Sequence, residues 1–347
     1  MKHARLAAAA LIALSTPFWA PLSAQEETEA APSPNEIVNA AAAKEWVQIE
    51  AEDLLLMTLT PDRDGNAREV VIQLMPAPFS QGWVENIRTL ARAEWYDGTS
   101  VNRVQDNYVV QWGDPGHDNP EGKDIETKPL PEGLNVMGEE EYLEQSQILL
   151  VGRPAPQTEA SIRERDDRRF QTWRSSDPYA QEPFQGVKFQ SGWPIGYDVK
   201  GRWPVHCYGM LGVGRNYSPD TGSGAELYTV IGHAPRHLDR NIALVGRIIS
   251  GMEHLSSLPR GSGVLGFYTE EETELRTPIL SIRVASDLPE ADQPQFEYLS
   301  TEGETFSKYA EARANRRDPF FIVPAGGADI CNIPVPIRAV SNAAADE

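Results

Sequence analysis

Basic side chains are in short supply. The chain has 31 Lys and Arg against 51 Asp and Glu, a formal charge of −20. Such a surface repels phosphate backbones and anionic lipids, which argues against nucleic acid as a partner. No apolar run after residue 20 reaches the roughly 20 residues that a bilayer span needs, so no span is expected in the mature chain. Histidine is also sparse, at six. His233 and His237 are four apart, but Pro235 between them works against a helix and no third ligand is evident, so no metal site is expected. His206 beside Cys207 is no better supported. The run Gly261-Ser262-Gly263-Val264-Leu265-Gly266 lacks the strand–turn–helix context of a dinucleotide site. Gly222-Ser223-Gly224 lacks nucleophile-elbow spacing, and no Ser-His-Asp signature is present. No cofactor is expected.

What is present begins with a processing signal. Lys2 and Arg5 precede an apolar stretch over residues 7–20, and Leu22-Ser23-Ala24 ends in the small residues that a signal peptidase takes. Residues 1–24 therefore read as a cleaved signal peptide, and the mature chain as soluble, exported and periplasmic. Residues 1–24 hold two basic side chains and no acid, so cleavage moves the formal charge from −20 to −22. Residues 25–44 are rich in Glu, Ala, Pro and Ser and read as a flexible linker, and 339–347 as a tail. The two cysteines, Cys207 and Cys331, leave two readings open: a disulfide in an oxidising compartment, or two separate buried thiols.

Strand signals dominate the interval between. Residues 53–59 and 68–74 are apolar and rich in strand formers, and the turn Pro61-Asp62-Arg63-Asp64-Gly65 joins them into a hairpin. Ser80 stands as an N-cap before Trp83, Ile87, Leu90 and Ala91 at helical spacing, which predicts an amphipathic helix over 81–93. Further strands are expected at 106–112, 226–231, 241–248 and 278–285. Helices are expected at 250–258 and 305–316, the latter preceded by Thr301 and Glu304 at capping-box spacing. Residues 115–204 are rich in Pro, Gly and charge with few clean strands, and 163–169 read as a solvated helix face. The whole is mainly β and antiparallel, with a long insertion or small subdomain.

Three stretches, in order, resemble one known family. They are VVIQLMPAPFSQGWVENIRTLARAEWYDGTSVNRVQDNYVVQWGD at 70–114, GSGAELYTVIGHAPRHLDRNIALVGRIISGMEHL at 222–255, and TPILSIRVAS at 277–286. Strand, helix, "YDG" turn, an arginine and a glutamine eight residues later are similar to the cyclophilin-type peptidyl-prolyl cis-trans isomerases. The resemblance implies a closed eight-stranded antiparallel barrel with capping helices and a groove on its outer face. The barrel domain would cover 45–338, with an insertion at about 115–204 and a C-terminal extension at about 287–338.

Position by position, the resemblance makes Arg103 the catalytic arginine and Gln111 its anchor. Tyr108 and Val109 stand where the family floors and lines its proline pocket with Phe and Met. Met210, Tyr228 and Leu238 complete the socket, with Glu226 in place of a groove Gln and His237 where many members carry Trp. Ile242 replaces the pocket histidine. The implied function is peptidyl-prolyl isomerisation that assists folding of exported proteins, with X–Pro segments of extended polypeptides as partners. The altered socket motivates an alternative: a catalytically weak or inactive cyclophilin-like peptide-binding or chaperone module.

Overall fold

The computed structural model describes residues 30–120, 126–145, 174–175, 179 and 185–340. The expected signal peptide and the charged run at 163–169 lie outside the described residues. In chain order the first strands are β1 (Trp46–Gln48), β2 (Leu54–Leu59), β3 (Arg68–Leu74), β4 (Ser100–Val104) and β5 (Val109–Gly113). Then come β6 (Glu144–Gln145), β7 (Arg174–Ser175), β8 (Gly186–Gln190), β9 (Trp193–Tyr197) and β10 (Gly201–Pro204). The rest are β11 (Met210–Val213), β12 (Glu226–Val230), β13 (Leu244–Ser250), β14 (Ile279–Val284), β15 (Phe296–Leu299) and β16 (Ile337–Ala339).

Eight of these form one antiparallel sheet in the order β14-β2-β3-β13-β11-β12-β5-β4. Its ends are drawn together by Val101 N–H to Thr277 O at 2.9 Å and Ile279 N–H to Thr99 O at 2.8 Å, with a bridge between Ser100 and Pro278. The result is a nearly closed barrel. Period-two alternation fills it: Leu55, Met57 and Leu59 of β2 and Val70, Ile72 and Leu74 of β3 all point into the main core. Each such side chain contributes about 1.5–3 kcal/mol by leaving water. Leu54 and Val71 face the other way into a smaller cluster.

Helix α1 spans Pro34–Asn39 and α2 spans Gln81–Arg92; α2 buries Trp83, Val84, Ile87, Leu90 and Ala91 against the barrel. Its start corrects one expectation. Ser80 has φ +55° and makes no side-chain cap bond, and Gln81 instead anchors the turn by donating to Met75 O and Phe79 O. The helix expected over 250–258 is the single turn α3 (Glu253–Ser256), held short by Gly251 at φ +77° and by Pro259. Helix α4 covers Glu304–Ala314 with Gly303 as N-cap. Thr301 does not cap it, because its hydroxyl accepts from Gly192 N–H at 3.0 Å.

Two further corrections concern the additions to the barrel. The linker expected to be a featureless tether carries α1, capped by Ser33 and Glu36 in a reciprocal box and packed on α4. The middle segment expected to hold few strands forms a five-stranded sheet, β6-β10-β9-β8-β7. Its strands are two to five residues long, too short for a periodic signal. Ser191 and Gly192, at φ +50° and +81°, turn β8 into β9 as a two-residue hairpin. A third sheet, β1-β15-β16, joins the N-terminal segment to the C-terminal extension. Cys207, just before β11, and Cys331 of the extension form a disulfide with Cα atoms 5.1 Å apart. Among the described residues no helix is long and apolar enough to cross a membrane.

Candidate active site

Strands β4 and β5 form a hairpin whose turn is fixed by Gln105 N–H to Val109 O at 2.9 Å and by Asn107 at φ +52°. In its register Arg103 lies opposite Gln111. Cross-strand partners of this kind have side chains within reach of each other, and Arg103 Nη1 donates to Gln111 Oε1 at 2.9 Å. Arg103 Nε donates to Leu265 O at 2.8 Å, and Nη2 donates to Gln105 Oε1. The guanidinium carbon lies 5.7 Å from the Tyr108 ring centre and 5.2 Å from that of Phe267. Held at several points and flanked by two rings, the planar cation has a defined orientation that a lysine would lack.

An apolar cluster separate from the main core lies beside it. Val109, Tyr228 and Val230 form its buried part, with Tyr108, Leu238 and Ile242 packed against it. Its separateness puts it on the outer wall of the barrel. Arg103, Tyr108, Val109, Gln111, Tyr228 and Leu238 all line one pocket there. Its volume is about 130 Å³, close to the roughly 150 Å³ that admits a benzene ring, so a pyrrolidine ring fits.

The other three residues singled out from the sequence lie elsewhere. His237 stacks on Tyr108, with ring centres 6.1 Å apart, and so supports the pocket without lining it. Glu226 is wholly buried under the hairpin, where its Oε1 accepts from Asn102 Nδ2 at 2.9 Å and Gln111 reaches the same carboxyl. Burial pushes that carboxyl up to about 8, and Oε2 has no hydrogen-bond partner. Met210 is not in the pocket. It starts β11 opposite Arg247 and lines a different cavity, whereas β11 meets the pocket through Gly214 and Arg215 beyond its other end.

Sequence reasoning missed Gly214 and Arg215, and also Asp118, Asn119 and Pro120, which form one rim. Asp118 accepts from Ser223 N–H at 2.8 Å and from its hydroxyl, and burial pushes its carboxyl up. The network behind the pocket was missed as well. The Tyr228 hydroxyl is 3.0 Å from His206 Nε2, and His206 Nδ1 is 3.0 Å from Asp239 Oδ1. Arg236 Nε donates to Asp239 Oδ2 at 2.7 Å. Burial works against the Asp239 carboxylate, yet the His206 and Arg236 contacts hold it below the ordinary range. The available signal was the tyrosine itself, since a phenol deep in a pocket wall needs a partner for its hydroxyl. Among the described residues no cluster of His, Cys, Asp and Glu is arranged to hold a metal ion.

The sequence model of the family described as "Cyclophilin type peptidyl-prolyl cis-trans isomerase/CLD" matches residues 66–284. Among solved structures, cyclophilin AquaCyp293 from Hirschia baltica is 21% identical with a TM-score of 0.57, over 85% of this chain and 93% of its own. At that identity the likeness speaks for the fold. A cyclophilin type peptidyl-prolyl cis-trans isomerase of Cryptosporidium parvum is 12% identical with a TM-score of 0.35, over 67% of this chain and 96% of its own. The same Cryptosporidium parvum protein crystallised in the presence of the dipeptide Ala-Pro gives 13% and 0.33, over 66% and 98%. No curated protein matches the chain.

Proposed function

The chain belongs to the cyclophilin-type peptidyl-prolyl cis-trans isomerase family, and from that premise we propose that it accelerates exchange at X–Pro bonds, with Arg103 as catalytic residue and Gln111 as its anchor. The observation that carries this reading is the Arg103–Gln111 pair at 2.9 Å on the edge of a pocket of proline size.

Isomerisation makes and breaks no covalent bond. Its barrier, about 18–20 kcal/mol, is the loss of amide resonance. In the twisted state the prolyl nitrogen becomes pyramidal and gains a lone pair. A guanidinium aimed at that nitrogen donates to the twisted amide better than to the planar one, which is differential transition-state binding. A charge-assisted hydrogen bond is worth about 1.5–3 kcal/mol, so Arg103 supplies one to two decades of rate at ~1.4 kcal/mol per decade. Tyr108, Val109, Tyr228 and Leu238 hold the proline ring while its neighbours rotate. Gln111 fixes the guanidinium plane through Nη1, and Glu226 and Asn102 hold Gln111 from beneath.

The clients in this reading are extended segments of exported proteins, and the site of action is the periplasm. The amino-terminal signal and the Cys207–Cys331 disulfide support that placement. Detection of the mature chain only in the cytoplasm of the native host would remove it. One observation favours the alternative of a weakly active peptide-binding module: Arg103 is engaged inside the protein at Nε, Nη1 and Nη2.

A prolyl-exchange assay on a short X–Pro peptide separates the two. Wild type accelerates exchange, and Arg103→Ala loses at least tenfold in kcat/KM while peptide affinity is kept. Folded wild type that binds the peptide without accelerating exchange assigns the protein to the binding class.

A further inference from the structure

A second cavity, outside the groove, is built in part from the additions to the barrel. It lies between β9 of the inserted sheet, β11 and β13 of the barrel, and the C-terminal extension, and its volume is about 290 Å³. That is at the lower end of small-molecule sites, which run from about 300 to 1,000 Å³. It shares no lining residue with the proline pocket. Phe189, Pro194, Ile248, Ile330 and Val335 supply apolar walls, and the Cys207–Cys331 disulfide lies along one side.

Two arginines line this cavity, Arg247 and Arg313. None of the described lining residues is acidic, in a chain whose formal charge is −20. Arg247 is 6% exposed. Its acceptors are all neutral: Nε donates to Gln73 Oε1 at 2.9 Å and Nη1 to Gly192 O at 2.8 Å, while the guanidinium lies 4.1 Å from the Trp193 ring centre. Nη2 is buried and has no hydrogen-bond partner. Arg313 gives Nε and Nη2 to one carbonyl, Asn332 O. A buried cation without a carboxylate is costly, because charge taken from water is ordinarily compensated by a counter-charge. Burial accordingly pulls Arg247 down to about 9.

We propose that this cavity binds the carboxylate of an apolar acid, with Arg247 and Arg313 as the anion contacts and the hydrocarbon body against Phe189, Ile248 and Val335. The guanidinium fork matches a carboxylate in shape as well as charge. The bound anion supplies the negative charge that Arg247's neutral acceptors do not, and so offsets the cost of the buried cation. The carboxylate has two possible sources, a free aliphatic acid or the C-terminus of a polypeptide. The proposal does not depend on the isomerase reading, because the two sites share no residue.

The test uses the full disulfide-bonded chain and isothermal titration. Octanoate and octanamide are compared, together with a Leu-terminated tetrapeptide carrying a free or an amidated C-terminus. Binding of octanoate at least tenfold tighter than octanamide is expected, the lower end of a charge-assisted hydrogen bond. Competition by the free-acid peptide but not its amide identifies a polypeptide terminus as the source, and its failure to compete identifies a small acid. Val335→Trp fills the cavity while leaving both arginines in the sequence, and abolishes binding. Arg247→Met weakens octanoate and leaves octanamide unchanged. Equal binding of acid and amide, no binding of octanoate, or octanoate binding that survives a folded Val335→Trp variant overturns the proposal.

Discussion

Replacement of Glu226 by Gln should make the protein more stable, and by an amount that grows with pH. Glu226 is wholly buried; its Oε1 accepts from Asn102 Nδ2 at 2.9 Å and Gln111 reaches the same carboxyl. Burial moves its carboxyl from an ordinary 4.5 to about 8. Between those two pH values the unfolded chain has released this proton and the folded chain still holds it. Stability therefore falls as pH rises across that window. Each pH unit costs about 1.4 kcal/mol, so the penalty is roughly 3 kcal/mol at pH 7 and levels off near 5 kcal/mol above pH 8. Glutamine has nearly the shape of the neutral acid, keeps the acceptor for Asn102 and cannot ionise. Thermal unfolding of wild type and Glu226→Gln from pH 4.5 to 9 tests this. Near pH 4.5 the two should agree within about 1 kcal/mol, since both groups are neutral there. At pH 7 the variant should melt roughly 6–12 °C higher, at ~2–4 °C per kcal/mol. A gap that does not widen with pH, or a variant less stable than wild type at pH 8, would refute the reasoning.

Arg103→Lys should lose tenfold or more in kcat/KM with peptide affinity nearly unchanged, because a point charge replaces a fixed plane; steady-state prolyl-exchange kinetics beside a peptide titration checks it. The Cys207–Cys331 bridge spans 124 residues of chain, and loop-closure entropy puts its removal at roughly 5 kcal/mol, which denaturant unfolding with and without reductant reads directly. Tyr228→Phe leaves His206 Nε2 buried without its 3.0 Å partner. It should cost about 1–3 kcal/mol in urea unfolding while keeping the apolar wall of the pocket.

The pair Arg103 and Gln111 is picked out by the family resemblance and not by any local pattern, since an arginine near a strand is ordinarily a surface charge; the structure sets the two opposite each other in one hairpin. The apolar strands β2, β3 and β14 and helix α2 are legible in the sequence itself, since period and length agree with burial. Met210 misleads because it stands four positions, about 13 Å of strand, before Gly214, where the chain meets the pocket. Strand β4 escapes notice because Ser100, Asn102 and Arg103 interrupt its apolar pattern, and their partners come from distant segments. The inserted sheet is hidden by the brevity of its strands, although Ser191-Gly192 is a turn signal in its own right. The Tyr228–His206–Asp239 network joins residues 22 and 33 positions apart, and no local pattern announces it.

That same Ser191-Gly192 turn receives contacts from the barrel and from the C-terminal extension. Gly192 O accepts from Arg247 of the barrel, Gly192 N–H donates to Thr301, and Ser191 N–H donates to Glu302 of the extension. A tip of two residues thus ties the inserted sheet to the barrel and to the loop that leads from β15 into α4. Pulling the turn away from the barrel or from Thr301 leaves buried polar groups of Arg247, Thr301 and Gly192 without partners, which raises the free energy of those partly open forms. The additions to the barrel are therefore not free to melt on their own. Heat should take the described layers apart in a single cooperative step, with calorimetric and van't Hoff enthalpies in agreement.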